Sequence, residues 1–363
     1  MRFPIVSAAA LGLMAMASSA QATPTFNLAF IAGTSAQAQA AFTTAANYWS
    51  SAFTDNVTVN LTVGTGALSS GVLASASSNQ QSYTYSAVRA AMAADVSSAI
   101  DTSAVAHLPN TAGVSMYLNY TSNNPNGAGS ATPYVDNDGD ANNTTIRMTQ
   151  ANAKALGLAT TSSTLTNCIG NCDAFIQFST GFSYDYDTSN GVSSGTYDFV
   201  GLAVHEIGHA LGFVSGVDIL DINSPSTAFF PDQAFVYVSP LDLFRCSASS
   251  ASNGTTLDFT AGSGVRSFSL DNCSTTLGRF SEGRTHGDGQ QASHWKDNLG
   301  LGVMDPTAAQ GETLVVTPLD LIAFDTIGWN LSVVPEPGTL TLGAAWLLGL
   351  VALRRRSKTR ATA

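Results

Sequence analysis

The chain has 363 residues, 44% of them hydrophobic and only 11% charged, with 25 acidic side chains against 14 basic ones. That apolar content suffices for one large core or two smaller ones. A net charge of −11 argues against nucleic acid and against anionic lipid as partners, since both demand basic surface.

In chain order, residues 1–22 read as a secretory signal peptide: Arg2 is the charged start, Val6–Ala17 the apolar stretch, and Ala20-Gln21-Ala22 the small-x-small cleavage pattern. Phe26–Ile31 reads as a strand and Ala36–Phe53 as a helix with Trp49 and Phe53 on its apolar side. Val57–Val63 (VTVNLTV) alternates with period two and reads as a second strand. Tyr85–Ala99 is expected to be a helix and Ser115–Tyr120 a strand. Residues 121–143 form a polar, Gly- and Asn-rich loop. Within that loop Asp136, Asp138 and Asp140 raise the question of Ca2+. The EF-hand pattern fails because Ala141 takes the glycine position and no glutamate follows, which favours a solvated turn.

A short helix at Ala151–Leu156 and strands at Ala174–Ser179 and Phe182–Tyr186 come next. Tyr197–Leu211 reads as a helix that stops at Gly212. Beyond it the pattern is irregular, with strands expected at Ala234–Val238 and Ser267–Leu270 and an amphipathic helix at Leu319–Ile327. The order implies a mixed α/β (α+β) fold: an N-terminal twisted sheet with the 197–211 helix (residues 23–213) and a loop-rich C-terminal subdomain (214–330), with a cleft between them. Cys168, Cys172, Cys246 and Cys273 allow three pairings, and proximity in sequence favours Cys168–Cys172 and Cys246–Cys273.

Residues 205–209 are His-Glu-Ile-Gly-His, and Glu206 is the first of only four glutamates, the next being Glu282. Histidines four apart share one helix face and can bind one metal ion, and Glu206 then reaches a water at the metal's open position. Zinc with a catalytic role needs a third protein ligand. The compact form of the motif would place a histidine at 215, where this chain has Ser. A glutamate ligand from a following helix is disfavoured, because no glutamate occurs between 207 and 281. His286 and His294 remain. His286 lies in Arg-Thr-His-Gly-Asp-Gly, a polar turn expected to face solvent. His294 lies in Ala-Ser-His-Trp-Lys-Asp, ten residues before Met304 in Gly-Val-Met-Asp-Pro.

With these residues the chain resembles a metzincin of the leishmanolysin type, in which the motif helix ends at the glycine and the third histidine follows a long insertion. The likeness implies His205, His209 and His294 as ligands of one catalytic Zn2+, Glu206 as the catalytic general base and Met304 as the methionine of the turn beneath the metal. The chain is also similar to bacterial metallopeptidases that share its Leu-Asp-Leu-Phe-Arg (241–245) and Ser-His-Trp-Lys-Asp (293–297) segments. That likeness covers most of 25–330 and is strongest at 197–218 and 290–329. Leishmanolysin itself is matched only around the metal site. With no cysteine before Cys168, a cysteine-switch propeptide has no support. The implied substrates are proteins or peptides, held extended against an edge strand for which Ala174–Ser179 and Phe182–Tyr186 are candidates.

The end of the chain, 331–363, carries Val334-Pro335-Glu336-Pro337-Gly338, an apolar run from Leu340 to Leu353 and then Arg354-Arg355-Arg356. It resembles the PEP-CTERM sorting tail of Gram-negative bacteria, which implies transient inner-membrane association, an exosortase as processing partner and release to the cell surface or beyond. A permanent anchor is the plainer alternative, although the run is short for a free-standing span. Without both ends, eight basic and 24 acidic residues remain, a net charge near −16. Two other functions stay open: a non-catalytic surface or matrix protein that retains a zinc site, and a zinc hydrolase of a non-peptide substrate.

Overall fold

The computed structural model describes residues 22–223, 230–255 and 257–332. The expected signal peptide, apart from Ala22, and the expected tail from residue 333 onward lie outside the described residues. Among the described residues no helix is long and apolar enough to cross a membrane.

The chain is mixed α/β. Its largest sheet has the order Thr25–Phe30, Thr58–Gly66, Ala174–Ser179, Ala74–Ser78. The first three strands run parallel and the fourth antiparallel. Parallel neighbours need a crossover, and the helix Ala36–Ala52 supplies the first one. Ser35 starts that helix by accepting a hydrogen bond from the Ala38 amide. Its small residues Ala38, Ala41, Ala45 and Ala46 are buried and let the helix lie close to the motif helix Phe199–Leu211. Phe42 fills the joint, its ring centroid 5.0 Å from that of Phe199 and 5.1 Å from that of Phe178 on the central strand.

The second half has little regular structure. Three short strands, Arg245–Cys246, Arg266–Phe268 and Gly278–Phe280, form one small sheet. The disulfides Cys168–Cys172 and Cys246–Cys273 are both formed, as proximity in sequence favoured. The closing helix Pro318–Thr326 starts at a capping box between Thr317 and Asp320. After it, Leu331 bridges antiparallel to Phe53, and the Ser332 amide donates to the Ala52 carbonyl at 2.8 Å. The ordered fold thus runs slightly past the boundary at 330.

Several sequence expectations are corrected. The helix expected over Tyr85–Ala99 ends at Asp95, and a second helix, Ala99–His107, starts at Ser98, whose hydroxyl and Asp101 form a capping box that breaks the run. No strand forms at Ala234–Val238. The chain there makes a short 3-10 turn, Asp232–Ala234, and buries Phe235 and Val238 as single anchors. Phe182–Tyr186 shrinks to the two-residue strand Tyr184–Asp185. Ala174–Ser179 is an interior strand, paired on both sides, and has no free edge for a peptide. The edge is Ala74–Ser78, whose sequence Ala-Ser-Ala-Ser-Ser lacks the branched and aromatic residues that mark strands.

Where the end of the fold meets its beginning, three acids gather. Asn330 donates its backbone N–H to Asp55 at 3.0 Å and its side-chain amide to Asp95 at 3.1 Å. Asp325 accepts from the Ser98 hydroxyl at 2.7 Å, while its other oxygen is buried with no hydrogen-bond partner among the described residues. No ion pair among the described residues involves any of the three. Burial pushes Asp55 and Asp325 up to about 7 and Asp95 up to about 6, with repulsion from neighbouring acids adding to it. Folded-state values above the unfolded carboxylate value mean that their stabilising protons are fully present below about pH 4 and lost as the pH rises through about 6 to 7. The stability that these three acids contribute is therefore expected to fall between pH 5 and pH 7.5, against the opposite slope from buried histidines with lowered values. Urea titrations of wild type and Asp55→Asn in the presence of chelator should show that fall as their difference, the variant losing less. An equal slope in wild type and variant would contradict the assignment.

Candidate metal centre

The motif helix is held at both ends by features legible in its own sequence. Asp198 caps its start, accepting from the Gly201 amide at 2.8 Å, and its second oxygen accepts from the Leu314 amide at 3.1 Å. Gly212 ends it with φ of +122°, a conformation that favours glycine. The sharp exit swings the Phe213 carbonyl back to the His209 ring, where it meets Nδ1 at 2.7 Å. Two tryptophans grip the helix from opposite parts of the chain. Trp49 Nε1 donates to the Val204 carbonyl at 3.0 Å and Trp329 Nε1 to the Leu211 carbonyl at 2.8 Å.

Three histidines converge. His209 Nε2 lies 3.0 Å from His205 Nε2 and 3.1 Å from His294 Nε2. Every Nδ1 faces a backbone carbonyl: Val303 at 2.7 Å from His205, Phe213 at 2.7 Å from His209 and Gln291 at 3.2 Å from His294. A carbonyl only accepts, so Nδ1 carries the proton in each ring and a neutral ring leaves Nε2 bare. Burial lowers the pKa of all three, that of His209 to about 3 with His205 adding repulsion. Three bare lone pairs facing one another at this distance repel unless a cation lies among them. Nitrogens bound tetrahedrally to zinc at about 2.0–2.1 Å stand about 3.3 Å apart, so the donor set fits such an ion closely. Glu206, buried on the same helix, lines the cleft onto which the site opens and makes no side-chain hydrogen bond among the described residues. Burial pushes its carboxyl up to about 8, an effect that a nearby cation would oppose.

Met304 lies beneath the helix, fully buried. A Cβ at Gly208 would stand 2.6 Å from its Sδ, so the absence of a side chain at 208 is what admits the methionine. Behind it lies a residue that the sequence reading did not single out. Asp320 accepts at one oxygen from Trp295 Nε1 (2.8 Å) and the Met304 amide (3.3 Å), and at the other from the amides of Val303 (2.9 Å) and Thr317 (2.7 Å). One buried carboxylate thus ties the closing helix to the turn that orients His205 and to the residue after His294. Asp218 does the equivalent for the segment before His294, accepting from the amides of Ala292 (2.6 Å) and Ser293 (3.3 Å) and from the Ser293 hydroxyl. The sequence marked a helix at Leu319–Ile327, but not the reach of Asp320 into the site.

His286 does not join the cluster, and it is not the solvent-facing residue its polar turn suggested. Its ring stacks on Tyr120 at 4.0 Å with Nε2 buried. The acidic loop also differs from expectation. Asp136 and Asp138 gather with Asp232, whereas Asp140 is turned away to cap the helix Ala141–Thr144. Asp232 is already engaged by Asn123 Nδ2 at 2.7 Å and the Tyr134 hydroxyl at 3.0 Å.

The histidines and Glu206 open into a cleft of about 750 Å³. One wall is the free edge Ala74–Ser78, and the opposite wall comes from 284–294 and 305–308. No known protein family, curated protein or solved structure matches this chain.

Removing the acceptor strength of Asp320 leaves buried N–H groups facing an amide. Asp320→Asn is expected to lower the stability of the metal-free protein by roughly 3 kcal/mol, measured by chemical denaturation. An unchanged midpoint and slope would show that the carboxylate does not hold the turn.

Proposed function

We propose that this protein is an exported zinc-dependent endopeptidase with a leishmanolysin-like metzincin arrangement: His205, His209 and His294 as metal ligands and Glu206 as general base. The observation that carries the reading is the convergence of three bare imidazole nitrogens in the lining of an open cleft that also holds a carboxylate with no side-chain hydrogen bond among the described residues. A purely structural zinc site is closed by four protein ligands and has no use for a neighbouring base. Three ligands opening to a cleft favour catalysis over a matrix protein with a retained site.

Zinc bound there would supply Lewis acidity for a carbonyl oxygen and make a water acidic near neutral pH. The chain's own groups do the rest. Glu206 takes the proton of the attacking water and passes it to the leaving amine. The three carbonyls behind the histidines fix each ring's tautomer and aim, so that no reorganisation is needed when a substrate arrives. The edge strand Ala74–Ser78 offers unpaired backbone groups to an extended substrate, which favours a peptide over a non-peptide ligand. Small side chains on that strand leave room for the substrate backbone to approach.

Both disulfides suit an oxidising compartment and so support export. Removal of the C-terminal tail by an exosortase remains part of the same proposal, resting on the sequence of residues 334–360.

Glu206→Gln is expected to reduce peptide hydrolysis by about 10²- to 10⁴-fold while the protein binds as much zinc as wild type. Metal analysis alongside a fluorogenic peptide assay tests both halves. A folded, zinc-loaded Glu206→Gln protein that cleaves at the wild-type rate would refute the mechanism.

A further inference from the structure

The cleft has a charge pattern that peptide hydrolysis alone does not explain. Arg284 is the one cationic residue lining it among the described residues, and it is exposed. Of the seven other basic residues among the described ones, three make ion pairs. Lys154 pairs with Asp173, Arg266 with Asp258, and Lys296 with both Glu282 and Asp288. Arg245 is buried and donates to the Ser281 carbonyl.

The acids nearest Arg284 in its own turn are all engaged elsewhere. Glu282 and Asp288 flank it in sequence, and both are bridged by Lys296 at 3.0 and 2.9 Å, so neither pairs with Arg284. Asp221, packed beneath the turn, accepts from the amides of Thr285 at 2.6 Å and His286 at 2.9 Å. Asp305, on the same cleft wall, is taken up by the Thr307 amide at 3.1 Å and hydroxyl at 3.3 Å. The backbone that carries Arg284 is fixed: Gly283 bridges to Gln290, and Gln291 in turn accepts from the His294 ring. A guanidinium on a pinned turn, with no hydrogen-bond or ion-pair partner among the described residues, lines the same cleft as the histidines.

We propose that Arg284 recognises a carboxylate of the substrate, so that the cleft selects peptides carrying an acidic group near the scissile bond. This rests on the peptidase reading above. A guanidinium pairs with a carboxylate through two parallel N–H···O bonds, which fixes position as well as charge. The carboxylate has two sources in a peptide: an Asp or Glu side chain, or the free C-terminus. The first makes the enzyme an endopeptidase with an acidic preference, and the second biases it toward cutting near chain ends.

The test uses matched peptides with Gln, Glu or Lys at each of three positions on either side of the scissile bond, each made with a C-terminal acid and a C-terminal amide. Values of kcat/KM are compared for wild type, Arg284→Ala and Arg284→Glu. Arg284 is exposed, so these variants should fold, and their thermal midpoints check it. In parallel, fluorescence anisotropy measures binding of the labelled peptides to Glu206→Gln with and without Arg284→Ala. The expected result is a preference of about tenfold or more for one carboxylate-bearing peptide, lost in Arg284→Ala and shifted toward a Lys peptide in Arg284→Glu. The position scan against the acid–amide pairs names the source of the carboxylate. Cleavage with the same profile in wild type and Arg284→Ala overturns the inference and leaves the peptidase reading standing. Arg284-dependent binding without any cleavage by wild type does the reverse. Neither binding nor cleavage preference for a carboxylate overturns it outright.

Discussion

Three imidazole nitrogens, with that of His209 3.0 Å from one and 3.1 Å from the other and each ring's proton turned outward, are mutually repulsive until a cation lies between them. A fold that keeps them so must resist that repulsion in the metal-free state, and much of this structure does so. The carbonyls of Val303, Phe213 and Gln291 fix the rings, and those carbonyls are fixed in turn by a glycine exit, a buried methionine turn and two carboxylates. The two motif histidines come from a helix held by two tryptophans, at the carbonyls of Val204 and Leu211. The third arrives from a segment with almost no regular structure.

That contrast explains why the second half is studded with aspartates. Where strands and helices are few, backbone N–H groups need other acceptors. Asp218, Asp221, Asp242 and Asp320 provide them, each taking two or more backbone amides. A short carboxylate reaches nearby amides without the entropy cost of a longer side chain, so Asp serves where Glu would not. The scarcity of glutamate is thus partly structural, and it makes the one at 206 stand out more. Aspartate brackets carry a cost in desolvation, seen in the raised values of Asp218, Asp242 and Asp320.

The sequence made the histidine cluster more legible than the architecture around it. His205, Glu206 and His209 follow from helical spacing, whereas His294 was chosen over His286 through the family resemblance that its Ser-His-Trp segment and Met304 carry. Both disulfides were read from proximity. The parallel strands at 25–30 and 58–66 and their crossover helix announce themselves through alternation and an apolar face. What escaped was the edge strand Ala74–Ser78, because its residues carry no strand signal and its pairing with Ala174–Ser179 is nearly a hundred residues away in sequence. Asp320 and Arg284 escaped for a related reason. A capping residue and a loop arginine look ordinary until the fold shows what each faces. The strand expected at Ala234–Val238 failed because apolar spacing there serves isolated anchors and not a ladder.

The central claim is that His205, His209 and His294 form one cation site. Purified protein stripped with chelator and titrated with zinc, read by both metal content and thermal midpoint, tests it most directly. The account predicts one tightly bound zinc per chain and a rise in the midpoint on loading, with affinity greatly weakened in His294→Ala and unchanged in His286→Ala. Wild-type protein that takes up no zinc, or equal losses in the two variants, would contradict it.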